Sequence, residues 1–113
     1  MEINPLHEKE ELTPVDISIW NKEVKAYVRP LTGLEQLIFN DYFLDFLNRE
    51  LPVEKRFDAA FKATMMALVN EKGEPLVVEE SRPAFLKASA VPFLGIFSAV
   101  LKVEVVAEGL KKN

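Results

Sequence analysis

The 113-residue chain has no cysteine, one histidine and four glycines. Without cysteine there is no disulfide framework, no thiol nucleophile and no thiolate-bound zinc. The lone histidine, His7, falls in an acidic opening stretch, so a Ser/His or Cys/His pair has nothing to form from. Gly33 and Gly73 stand singly, outside any phosphate-cradling loop. Positive charge is in deficit: 14 Lys and Arg against 18 Asp and Glu leave a net charge of −4. Nucleic-acid binding requires a basic face instead, and the densest basic stretch, Lys55, Arg56 and Lys62, reads as the wet side of a helix. Long apolar runs are missing too. The longest, Ala90 to Leu101, is too short for a bilayer and meets Lys102. The polar start "MEINPLHEKEEL" is no signal peptide. These absences lead to the expectation of a soluble, intracellular protein of one domain.

The carboxylates do not replace the missing chemistry. Asp41 and Asp45 lie one helical turn apart and share a face, but a single helix cannot wall a pocket around them. They read as hydrophilic edging. Glu79 and Glu80 place negative charge ahead of a helix start, where the backbone dipole favours it. No calcium-loop spacing is present. An enzyme is not expected, and no cofactor or metal site either.

Apolar residues, by contrast, make up 49% of the chain, ample for a core at this size. Residues 1–14 read as a flexible tail, and residues 15–110 as a single domain. "VDISIW" and "VKAYVRP" alternate apolar and polar positions around the turn "NKE", the pattern of a β-hairpin. Thr32 followed by Glu35 is a capping-box signature opening a helix over 34–47. Pro52 suits the first turn of a second helix, running to about Asn70, with Val53, Phe57, Ala60, Phe61, Thr64 and Leu68 facing inward. Asn70 and Gly73 provide positive φ at its end, and "LVV" at 76–78 follows as a short strand. Ser81 reads as the N-cap of a short helix, and Pro92 opens a last helix that stops near Gly109. The predicted fold is α+β: an N-terminal β-hairpin, then a mainly helical domain of about four helices, in the order β-β-α-α-β-α-α.

Two of these helices carry more apolar surface than one core stripe needs. Leu34, Leu37, Ile38, Phe39, Tyr42, Phe43, Phe46 and Leu47 crowd the first, and Phe93, Leu94, Ile96, Phe97, Val100 and Leu101 the last. Such a surplus is covered by a partner, or the two helices cover each other and the hairpin. The pattern does not choose between these. Trp20 reads as a lid on the core, and Met66 as the methionine to watch for an adaptable groove.

Two stretches, taken together, resemble a known family. "VKAYVRPLTGLEQLIF" is a strand ending in Val-Arg-Pro-Leu-Thr-Gly before a Glu-led helix. "ALVNEKGEPLVVEESRPAFLKASAVPFLGIFSAVLKV" runs from a helix end through an Asn-Glu-x-Gly-x-Pro-Leu turn to a short helix and an apolar last one. That order resembles the tail assembly chaperones of long-tailed phages and prophages, the lambda and HK97 group, from about Val15 to Val106. The resemblance implies a non-enzymatic protein that binds the apolar tape-measure protein and keeps it soluble until tail-tube assembly. It implies a homo-oligomer in the host cytoplasm, absent from the mature virion, with the tail-tube protein as a second candidate partner and no nucleic acid or membrane. It also implies a longer product made by ribosomal frameshifting; Lys111, Lys112 and Asn113 can be encoded by a slippery run of adenines. The expected partner-facing residues are Phe39, Phe43, Phe46, Leu47, Met66, Phe93 and Phe97. A structural virion component, such as a head–tail joining or tail-completion protein, is the alternative.

Overall fold

The structure, a computed structural model, describes residues 11–102. His7 and Gly109 therefore lie outside the described residues, as do most of the expected tail, the end of the last helix and the closing Lys111, Lys112 and Asn113. Within them the chain runs β1 (Thr13–Val15), β2 (Ala26–Val28), α1 (Gly33–Leu47), α2 (Val53–Ala67), β3 (Leu68–Val69), a 3-10 turn (Glu79–Ser81), α3 (Arg82–Phe85) and α4 (Val91–Leu101). The class is α+β: a three-stranded antiparallel sheet, ordered β1-β2-β3, beside the helices.

The hairpin exists, but its first strand sits earlier than the alternation implies. β1 pairs Thr13 with Val28 and Val15 with Ala26, so the strand straddles the expected tail boundary at residue 14. "DISIW" is a turn. Asp16 Oδ1 accepts the Ser18 N–H at 2.9 Å, and the Trp20 and Asn21 amides both donate to the Ile17 carbonyl. Side-chain oxygens of this kind offer backbone amides an alternative to the sheet ladder. The result breaks the period of two: Ile17 is buried while Ile19 points to solvent.

The third strand also moves. The sequence reads Leu68 and Val69 as the end of a helix and "LVV" at 76–78 as strand. In the fold α2 stops at Ala67, and Leu68–Val69 pairs with Tyr27 and Val28. The segment after the turn contributes only a bridge at Pro75. β-branched Val69 and the waiting edge of β2 favour strand over one more helical turn. Of the two residues expected at positive φ, only Gly73 has it, at 83°. Asn70 acts through its side chain instead. Its Oδ1 accepts the Lys72 and Glu74 amides at 2.8 and 3.0 Å, and its Nδ2 donates to Glu74 Oε1.

α1 and α2 form an antiparallel-type helical hairpin held at both ends. At the start of α1, Thr32 Oγ1 accepts the Glu35 amide and Glu35 Oε1 accepts the Thr32 amide, the reciprocal box expected. Glu35 also receives two bonds from Arg29, at 3.1 and 2.9 Å, and Arg29 Nε donates to the Met66 carbonyl near the end of α2. At the far end Arg56 Nε donates to the Phe46 carbonyl, filling one of the orphan acceptors of α1. α2 packs through small residues: Ala59, Ala60, Ala63 and Ala67 are all buried beside Phe61 and Thr64. The buried Thr64 hydroxyl is satisfied by the Ala60 carbonyl at 2.8 Å. Val53, expected inside, is 72% exposed, one turn too early to reach the core. Ser81 does not cap α3; its hydroxyl accepts the Val78 amide. α4 opens with Pro92 and ends with Lys102 in the left-handed region.

The joint at Glu35 is testable. Arg29, aided by the Thr32 amide, draws the Glu35 carboxyl from 4.5 down to about 2. A carboxyl depressed by folding contributes stability in full above its unfolded value and loses it as pH falls toward the folded one. Stability is therefore expected to drop between about pH 4.5 and pH 2, with a shallower drop in Glu35→Gln. Thr32→Ala should lower stability by about 1 kcal/mol at neutral pH. Urea unfolding followed by circular dichroism at several pH values measures both.

Candidate functional site

α1 is apolar on both sides, and the two sides differ in kind. Inward go the aromatics. Phe39 is fully buried, and Phe39, Phe43 and Phe46 gather around Phe97 of α4 with ring centroids 5.3, 5.1 and 5.3 Å away. Phe93 continues the cluster to Phe57 of α2 and to Trp20. Rings hide more area per residue than aliphatic chains, so the face that carries them takes the core. Outward go the aliphatics. Leu34 is 70% exposed, Leu37 67% and Leu44 54%, with Ile38 beside them.

Helical spacing makes these one stripe: steps of three and four residues from Leu34 through Leu37 and Asp41 to Leu44 stay on one side of the cylinder. At 1.5 Å per residue the stripe is about 15 Å long. Asp41 interrupts it at the centre. Among the described residues no ion pair involves Asp41 or Asp45. Asp45, at the edge, borders a shallow groove shared with Lys55 and Lys62 of α2. α1 holds no Lys or Arg at all. The site is thus an open apolar seam with an acidic centre, and it has no pocket walls to confine a small substrate.

The seven residues expected to face a partner divide. Phe39, Phe93 and Phe97 are buried in the core and present no surface, which corrects that expectation for them. Phe43, Phe46 and Met66 are half-buried and pack against the core from its rim. Leu47 is exposed, at the end of α1. Most of the apolar surplus of α4 is likewise internal: Pro92, Phe93, Leu94, Ile96 and Phe97 are buried, while Val100 and Leu101 are half-buried. What the expectation missed is the aliphatic seam of Leu34, Leu37, Ile38 and Leu44. The signal was present in the segregation of aliphatic and aromatic residues onto opposite sides of one helix.

A second concave feature lies under the turn at 17–21. A cleft of about 590 Å³ runs between this turn and α3, lined by Ile17, Trp20, Val24, Leu76, Phe85 and Lys87 among others. Trp20 forms its floor as a lid on the core: the ring meets Phe85 and Phe93 edge-on, and its Nε1–H donates to the Ser89 carbonyl at 2.7 Å. Arg82 fixes α3 beside it, binding Glu79 and Asp58 while its guanidinium lies 4.6 Å from the centre of the Phe61 ring. Among the described residues no group of three or more His, Asp or Glu is placed to hold a metal ion, and no helix is long and apolar enough to cross a membrane.

No protein-family model and no curated protein matches the sequence. Among solved structures, that of the bacteriophage HK97 tail assembly chaperone superposes with a TM-score of 0.53 over 88% of each chain, at 12% identity. The chain is similar in fold to the HK97 tail assembly chaperone. At that identity the likeness is one of architecture, and the seam on α1 has to be judged on its own residues.

Core and seam should respond oppositely to truncation. Phe97→Ala is expected to cost about 3–5 kcal/mol, because it empties the centre of the aromatic cluster. Leu37→Ser should stay within about 0.5 kcal/mol of the parent, since the side chain has little burial to lose. Denaturant midpoints of the two variants decide it.

Proposed function

We propose that the chain is a tail assembly chaperone of a long-tailed phage or prophage. It binds the tape-measure protein through the exposed aliphatic seam of α1 and keeps that long apolar helix soluble until the tail tube replaces it. The observation that carries this reading is the open seam, on an architecture similar to that of a tail assembly chaperone. A monomer that hid its apolar surface fully would have nothing to offer such a partner. The role needs no catalysis, which suits a surface without pocket walls.

The energetics fit a temporary coat. Covering a leucine contributes about 1.5–3 kcal/mol, and association itself costs several. Three or four such side chains per copy give a weak single contact. Many copies along one chain gain through avidity, and each can still be displaced. Self-association of the coat, action in the host cytoplasm and absence from the finished particle belong to the same proposal.

Co-expression with the tape-measure protein of the same phage tests it. The tape-measure protein should become soluble and co-purify with the chain. In the triple variant Leu34→Ser, Leu37→Ser, Leu44→Ser, the soluble fraction should fall several-fold while the chain itself stays folded. Persistently insoluble tape-measure protein would remove the proposal. Recovery of the chain in purified particles would favour a head–tail joining or tail-completion role instead.

A further inference from the structure

The seam on α1 has the spacing of a coiled-coil strip. Leu34, Leu37, Asp41 and Leu44 follow steps of three, four and three, the a and d positions of a heptad pattern. Three are leucine. The fourth, Asp41, occupies an a position, where a single polar residue selects partner and register rather than adding stability. Its carboxylate has no ion-pair partner among the described residues, and α1 carries no base to provide one. A helix laid along the seam would cover Asp41, and a covered carboxylate must find a cation or a donor.

We infer that the seam accepts an amphipathic helix bearing Lys or Arg opposite Asp41, with apolar residues at three- and four-residue steps on either side. The inference rests on the chaperone reading and narrows it: the tape-measure segments preferred are basic at one register position in an otherwise apolar stripe. A second copy of the chain is disfavoured as the occupant of this seam. A parallel in-register pair of α1 helices sets Asp41 against Asp41, and an antiparallel pair sets each Asp41 against a leucine of the other copy. Both cover two carboxylates with no base on either helix to pair them. Asp45, beside Lys55 and Lys62, is not assigned this role.

Model peptides provide the test: helices of three heptads with leucine at a and d, and Lys, Leu or Glu at the central a position. Binding to the full chain is followed by fluorescence anisotropy. The Lys peptide should bind about tenfold more tightly than the Glu peptide at low salt, and the gap should narrow as salt is raised. Asp41→Lys should reverse the order, with an unchanged melting temperature showing that the fold is intact. Tape-measure capture by Asp41→Lys should fall alongside. If the order of peptides ignores Asp41→Lys while Leu37→Ser still weakens both peptide binding and capture, the charge assignment fails and the chaperone reading stands. If neither substitution affects peptides or capture, the seam is not the site and both fail. If Asp41→Lys changes only self-association, measured by sedimentation, the seam belongs to a second copy and the inference is overturned.

Discussion

Phe97 is the point on which the packing of this small domain converges. It stands on α4 with its ring against Phe39, Phe43 and Phe46 of α1, and one turn earlier Phe93 reaches Phe57 and Trp20. Satisfying that cluster uses one side of α1 completely. A helix has only one side to give to one core, so the remaining apolar residues of α1 have nowhere to go. The exposure of Leu34, Leu37 and Leu44 is therefore a consequence of how the interior is filled. An all-polar outer face would serve the fold at least as well.

Polar joints fix the orientation of that helix. Arg29 leaves β2 and divides its donors between Glu35 in the first turn of α1 and the Met66 carbonyl near the end of α2. Arg56 secures the opposite end of the helical hairpin at the Phe46 carbonyl. Arg82 does the same for α3, between Glu79 and Asp58. These bonds are only partly buried, and each adds modestly to stability. Their larger effect is geometric: with both ends of α1 pinned, the helix cannot roll to bury its outer leucines.

How far the sequence disclosed this structure depends on the kind of signal. The capping box at Thr32 and Glu35, the bodies of α1 and α2 and the proline-opened last helix rest on local chemistry, and they appear close to where local chemistry places them. The strands do not. Ile17 and Ile19 alternate as a strand would, yet Asp16 and Asn21 draw nearby amides into turns. Leu68 and Val69 continue a helical period, yet the edge of β2 claims them. Both outcomes depend on neighbours distant in sequence. The same limit explains the candidate surface. An excess of apolar residues on α1 is visible in composition, whereas which side faces out is decided by Phe97, more than fifty residues away. The phenylalanines are the largest apolar side chains of α1 and α4, and size is what draws a side chain inward.

The composition of the seam bears on how an exposed apolar surface limits indiscriminate contact. Four aliphatic residues in a row on an exposed helix form the surface that drives unspecific association. Asp41 breaks that row at its middle. A purely apolar approach then has to strip water from an unpaired carboxylate, a cost that offsets much of what the leucines contribute. An approaching helix with a base at the matching position offsets that cost with an ion pair in a partly desolvated setting. One carboxylate thus raises the cost both of indiscriminate apolar contact and of pairing this face with a second copy of itself.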